Sequence, residues 1–249
     1  MIIDTHCHIY NSEMENAEEI IKEAAERDIN MILNGTDPSS NLEVLDLSGK
    51  YDNVYASLGY LYSFADDVTD KDISLLDNQL NNDKVIAVGE IGLDYYHTKE
   101  NKDKQIVLFE KMLDLAEKHN LPVIVHSRKA MQNTFDILKK YDVVGSMHCY
   151  MGSAEMANQF INLGFYIGVG GPVTHTNNKK TRKMLKQVDI RNILLETDSP
   201  YLTPEEKRGE KNTPLNLKYI IGKISSELGI DEDKVIKTTT ENAKELFKI

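Results

Sequence analysis

Two hydrophobic periods alternate along the chain. Short runs rich in Val and Ile read as buried strands, and the longer segments between them repeat apolar positions at the spacing of amphipathic helices. The runs predict strands at Met1–His8, Ile29–Thr36, Val54–Tyr60, Val85–Ile91, Pro122–Ser127, Val144–Tyr150, Phe165–Gly171 and Ile193–Ser199. The periodic segments predict helices at Glu15–Arg27, Ser39–Lys50, Lys71–Leu80, Lys102–His119, Ala130–Lys140, Ala154–Leu163 and Lys179–Val188, with two more near Leu215–Leu228 and Asp231–Phe247. No Ser/Gly-rich linker or charge block marks a boundary, so one domain over residues 1–249 is expected. A closed barrel and an open doubly wound sheet both use this rhythm. Eight strand–helix units in 249 residues favour an α/β fold of the single (β/α)8 TIM-barrel type. A dinucleotide-binding sheet would carry a Gly-rich turn after its first strand, where this chain reads DTHCHIYNSE.

The polar residues at the predicted strand ends change the picture from fold to chemistry. Functional groups of such barrels gather where the strands end and the loops open. His6 and His8 end the first strand, Glu90 the fourth, His126 the fifth, His148 the sixth and Asp198 the eighth. Strand side chains alternate, so His6 and His8 share a face while Cys7 points away. Any one strand-end histidine is more often a satisfied polar residue than a ligand. Six imidazoles and carboxylates converging at one end are costly to desolvate without compensation. Divalent cations supply it. Four imidazoles favour zinc, and the carboxylates widen the choice to magnesium or manganese. Six donors exceed one tetrahedral ion and suit two ions per chain sharing a carboxylate, with a water held between them. Glu90 is the expected bridge, and Asp198 the expected ligand and proton acceptor.

Composition narrows the function classes. Forty acidic against 29 basic residues give a net charge of −11, which excludes attachment to DNA by bulk positive charge but not a local anion site. The 41% hydrophobic and 28% charged residues suit an ordinary soluble globular protein. No apolar run approaches the roughly 18 residues that span a bilayer. The opening MIIDTHCHIY lacks the features of a signal peptide. Two cysteines, Cys7 and Cys149, build no disulfide framework. A cytoplasmic protein with no membrane association and no obligate protein partner is expected.

The ordered blocks IIDTHCH, VGEIGLDYY, LPVIVHSR, GSMHCY and LLETDSPYL carry a resemblance. In them the chain resembles the TatD family of metal-dependent deoxyribonucleases, within the amidohydrolase-like TIM-barrel group. The resemblance runs along nearly the whole chain. It implies that His6, His8, Glu90 and Asp198 surround one metal and that Glu90, His126 and His148 surround the other. It also implies hydrolysis of phosphodiester bonds in DNA, often from a 3′ end, with single-stranded DNA ends as the partner. Three stretches depart from the family pattern. The usual Gly-x-His-Pro reads Gly59-Tyr60-Leu61-Tyr62, HSRDA reads HSRKA with Lys129, and the late RGKRNEP-like loop ends in Thr213-Pro214 while keeping Arg208, Gly209 and Asn212. Arg208 and Asn212 are carried over as substrate-binding residues.

Several rim residues have two readings each. Arg128 shares a face with His126 and is expected to bind a phosphate oxygen rather than only a neighbouring acid. Tyr60 and Tyr62 stand where a substrate base could stack, although packing serves them equally well. Glu196 and Asp4 face inward near the ligands, either orienting a ligand imidazole or serving the backbone. Cys7 and Cys149 read as small core residues on the opposite face. His97 and His119 read as surface residues and His175 as a weak rim candidate. The run Lys179, Lys180, Arg182, Lys183 and Lys186 reads as a solvated helix face before it reads as a DNA guide.

The leading expectation is a two-metal phosphodiesterase acting on DNA ends. A dinuclear hydrolase of a small ester, lactone or amide keeps the chemistry and changes the substrate, because a fold does not fix a reaction. A non-catalytic metal-binding protein would have no use for all six ligands.

Overall fold

In the computed structural model, which describes residues 1–249, each buried run is a strand and each periodic segment a helix. The strands are β1 (Ile2–Cys7), β2 (Ile29–Asn34), β3 (Val54–Leu58), β4 (Val85–Asp94), β5 (Val123–Arg128), β6 (Gly145–Met147), β7 (Phe165–Val169) and β8 (Ile193–Leu195). The helices are α1 (Ala17–Glu26), α2 (Pro38–Lys50), α3 (Asp70–Gln79), α4 (Lys102–His119), α5 (Met131–Leu138), α6 (Ala154–Asn162), α7 (Lys179–Leu185), α8 (Leu217–Leu228) and α9 (Glu232–Phe247). Local chemistry sets several boundaries. Asp37 caps α2 by accepting from the Ser39 and Ser40 amides at 2.8 and 2.9 Å, with Pro38 in the first turn. Thr69 and Asp72 cap α3 reciprocally.

The strands form one parallel sheet in the order β1 to β8. Beyond β8 the chain closes the ring against β1. Asp198 N–H donates to His6 O at 2.9 Å, His8 N–H to Ser199 O at 2.6 Å, and Thr5 Oγ1 to Leu195 O at 3.0 Å. The fold is therefore the expected TIM barrel. A small cluster including Ile3, Ile32, Ile86, Ile124 and Leu194 fills the barrel interior, and Leu246 and Phe247 of α9 pack against it from below. A cluster of 56 buried residues fills the layer between strands and helices. The end opposite α9 is left to the polar residues.

All eight strands end within four residues of expectation, and β4, β6 and β8 depart by the most. β4 continues past Ile91 to Asp94, while β6 stops at Met147 and β8 at Leu195. Gly92 makes the extension of β4 possible. Its φ is +134°, and a Cβ there would collide with His126 O across the β4–β5 ladder. Of three register breaks, two lie beside the ligand positions: one in β1 between Asp4 and Cys7, one in β4 between Val88 and Ile91. At the second, Glu90 N–H donates to Gly35 O at 2.9 Å instead of joining the β5 ladder.

Candidate metal centre

Glu90 lies at the middle of the open end, buried, with its two oxygens facing different imidazoles. Oε2 is 3.5 Å from His6 Nε2 and 3.4 Å from His8 Nε2. Oε1 is 3.0 Å from His126 Nδ1 and 3.6 Å from His148 Nε2. Asp198 Oδ1 approaches the first pair, at 3.4 Å from His6 Nε2 and 3.6 Å from His8 Nε2. The six residues expected as ligands thus meet in one place. They form three overlapping groups whose donor atoms lie within 4.8 Å of one another: His6, His8 and Glu90; His6, His148 and Asp198; and Glu90, His126 and His148. The middle group crosses the two sets implied by the resemblance, because the His6 and His148 rings stack at 3.7 Å.

Each donor is held by what stands behind it. His8 Nδ1 donates to Asn34 O at 2.8 Å, which turns Nε2 into the cluster. His126 Nε2 donates to Asp94 Oδ2 at 3.1 Å, which turns Nδ1 toward Glu90. Asp94 is fully buried; its Oδ1 accepts the Tyr96 and His97 amides at 2.7 and 2.9 Å, and its Oδ2 also faces His97 Nδ1 at 2.9 Å. Asp198 sits at a left-handed φ of +58°, a costly backbone state for a residue with a Cβ. The hydrogen bond that its N–H donates to His6 O holds the residue beside the histidines. Asp4 joins the two ends of the ring, accepting from Thr197 N at 2.9 Å and Thr197 Oγ1 at 2.5 Å.

The electrostatics fit a cation. Burial alone would lower the imidazoles, yet Glu90 and Asp198 raise His6 to about 9 and His8 to about 10. Burial likewise opposes, and bonds to Asp94 and Glu90 override, the rise of His126 to about 9. Burial pushes Glu90 up, but the charges of His6 and His148 and its imidazole hydrogen bonds hold it well below the usual range. The same balance, led by burial and reversed by His148, His6 and His8, keeps Asp198 ionised. Asp4 differs: burial outweighs its hydrogen bonds and raises it to about 7. No Lys or Arg pairs with Glu90, and His6 Nε2 meets His8 Nε2 at 3.1 Å, two ring nitrogens that a metal ion would hold together in place of their protons. The donor set of imidazoles and carboxylates therefore fits divalent metal.

The cluster forms the floor of a cavity of about 540 Å3 lined by Tyr62, His97, Arg128, Cys149, Met151 and Tyr201 among others. Arg128 and Tyr62 reach it as expected. Arg128 lies over the Tyr96 ring at 4.1 Å and beside His97 at 3.5 Å. Three substrate-binding expectations are corrected. Tyr60 is 1% exposed and donates its hydroxyl to Asp72 O at 2.7 Å, in the core. Asn212 is buried and donates to Thr197 O and Tyr201 O at 2.9 and 2.8 Å, so it braces a loop. Arg208 is exposed and pairs with Glu205 at 2.9 Å, outside the cavity lining.

Other readings also change. Glu196 Oε1 lies 3.5 Å from His148 Nδ1 without a hydrogen bond, and it accepts the Cys149 amide at 2.5 Å. Cys149 lines the cavity rather than the core, since its φ of +43° breaks the strand alternation. Cys7 is core, with its thiol toward Ile32 O. His97 is exposed, as expected, and it also lines the cavity, where its Nδ1 faces Asp94 Oδ2. His119 pairs with Asp77, and His175 donates to Thr203 O, away from the cavity lining. Arg182 is tied to the carbonyls of His175 and Thr176, and the exposed Lys186 to Glu227, which leaves Lys179, Lys180 and Lys183 as the exposed residues of the basic run without an ion pair. Asp94 and Tyr201 escaped sequence reasoning, although both lie inside the quoted blocks.

A parallel eight-stranded barrel with this donor set at the open end belongs to the class of metal-dependent hydrolases. The sequence profile of the TatD related DNase family matches residues 3–248, and the chain belongs to that family. It is 37% identical to the uncharacterized metal-dependent hydrolase YabD of Bacillus subtilis (strain 168), covering 100% of both chains. It is 34% identical to the uncharacterized metal-dependent hydrolase YcfH of Escherichia coli (strain K12), covering 100% of this chain and 96% of that one. Among solved structures it is similar to YjjV, a TatD homologue from Escherichia coli K12, with a TM-score of 0.93, 30% identity, and coverage of 100% of this chain and 98% of that one.

Proposed function

We propose that this metal-dependent hydrolase cleaves phosphodiester bonds at the ends of DNA, preferably single-stranded and from the 3′ side, as the TatD resemblance implies. The observation that carries the reading is the position of Glu90, whose two oxygens face two separate sets of imidazoles. That arrangement suits two divalent ions per chain, zinc first and magnesium or manganese as alternatives, held by His6, His8, Glu90, His126, His148 and Asp198. Bound ions there supply Lewis-acid stabilisation of phosphate oxygens and lower the pKa of water.

The chain's own residues do the rest. Glu90 holds the two donor sets in one frame. Asp198 stays ionised and faces the cavity floor, where its carboxylate accepts a proton from the attacking water. Arg128 is the only Lys or Arg lining the cavity and binds a phosphate oxygen. One fixed cation in a protein of net charge −11 suits a chain end with few phosphate contacts and strongly salt-dependent affinity. No helix is long and apolar enough to cross a membrane. Cys7 and Cys149 are unpaired, which supports a cytoplasmic setting.

The test is release of nucleotides from a 3′-labelled single-stranded DNA by metal-stripped protein, with zinc, magnesium or manganese added back. Metal-dependent release that disappears in Glu90→Ala is the expected result. No release from DNA, with turnover of a small ester, lactone or amide by the same preparation, would transfer the site to those substrates.

A further inference from the structure

Met151, Tyr201 and Leu202 leave 48%, 49% and 38% of their surface exposed. All three line the cavity above the imidazole–carboxylate cluster. Large apolar side chains that converge on one polar-floored cavity form a contact surface, unlike single exposed residues scattered over a protein. Tyr201 and Leu202 follow β8, beside β1, and Met151 follows β6. Arg128 ends β5, beside β4. In a ring ordered β1 to β8, the β8/β1 side and the β4/β5 side face each other across the opening.

The apolar side is rigidly built. The Tyr201 hydroxyl donates to Glu13 Oε2 at 2.5 Å, and its amide donates to Asp198 O at 2.8 Å. Its ring stands at 62° to the His8 ring, with centroids 6.2 Å apart. Leu202 adopts a left-handed φ of +50°, a backbone state that persists only where the surroundings enforce it. Gly171 does so by packing where a Cβ would collide with Leu202 O. Asn212 holds the Tyr201 carbonyl from behind. The charge on this side is unfavourable for an anion. Glu13 lines it, and Lys211 is turned to the Glu13 carbonyl at 3.1 Å.

We propose that Met151, Tyr201 and Leu202 form a seat for a neutral, flat, apolar group of the substrate, an aryl ring or a nucleobase, while the substrate's charged group lies toward Arg128. The seat rests on the phosphodiesterase reading and adds a requirement to it: a good substrate carries a ring toward the loops that follow β6 and β8. Diesters with only small alkyl groups leave the seat empty and bind weakly.

The test is calorimetric titration of zinc-reconstituted protein with diphenyl phosphate and with dimethyl phosphate. The wild type is expected to bind the diphenyl ester at least about tenfold more tightly, as aromatic stacking on one ring provides. In Tyr201→Ala that preference falls to within about threefold, while Tyr201→Phe keeps it. Met151→Ala, which breaks no side-chain hydrogen bond, reduces the preference without disturbing the loop. Equal binding of the two esters by the wild type, or an undiminished preference in both alanine variants, overturns the seat. Hydrolysis of bis(p-nitrophenyl) phosphate by the same preparations reports on the reaction separately. Aryl preference without hydrolysis keeps the seat and removes the phosphodiesterase reading; hydrolysis without aryl preference does the reverse.

Discussion

Asp94 holds His126 from behind: Oδ2 of the buried carboxylate lies 3.1 Å from the imidazole Nε2, and the ring's other nitrogen turns to Glu90 at 3.0 Å. A carboxylate behind a ligating imidazole fixes its tautomer and raises its basicity. Asp94→Asn keeps the shape and removes the charge. It is expected to lower metal affinity, read by titration of the stripped protein, by about 10–100-fold. Wild-type affinity in that variant would contradict the role.

The placement of Tyr60 makes a contrasting prediction. Tyr60→Phe loses only the bond to Asp72 O. Denaturant unfolding should show a loss of about 1 kcal/mol, with kcat and KM unchanged. A raised KM would return Tyr60 to the substrate side.

Much of the site was legible because imidazoles and carboxylates at strand ends have no bland reading when six of them converge. The rest was hidden by backbone detail that alternation does not encode. Asp94 was out of view because β4 runs on past Ile91, through a glycine at φ +134°. Cys149 was assigned to the core by parity, and its φ of +43° overturns parity. His148 and Asp198 were placed at the correct end by a longer strand than exists: β6 and β8 stop before them, and hydrogen bonds to β5 and β1 bring them in. Tyr60 and Asn212 show the limit of a motif, since both lie in or beside family blocks and both serve the frame.

The raised imidazoles give the metal-stripped protein a defined pH dependence. His6, His8 and His126 hold protons to about 9, 10 and 9 in the fold, against about 6.5 in an unfolded chain. Their stabilising contribution is fully present below about pH 6.5 and is lost as pH rises through 9 to 10. The melting temperature of the stripped protein should therefore fall across that window. Saturation with zinc, which displaces those protons, should flatten the fall. A melting temperature that rises from pH 6.5 to 10 in the stripped protein would contradict the assignment.

Arg128 is the single fixed cation of the cavity, with its guanidinium carbon 4.1 Å from the Tyr96 ring centroid. Arg128→Lys keeps the charge and loses the planar fork and the stacking. KM for a phosphodiester should rise about tenfold with kcat changed much less, the pattern of lost uniform binding. An unchanged KM would leave Arg128 as a rim ion-pairing group.

The central claim is that Glu90 joins two metal positions. Elemental analysis of protein equilibrated with zinc and freed of excess measures it directly. The wild type should retain two ions per chain, and Glu90→Ala one or none. A wild type that holds a single ion, or a Glu90→Ala protein that still holds two, would contradict the bridging carboxylate and the hydrolysis built on it.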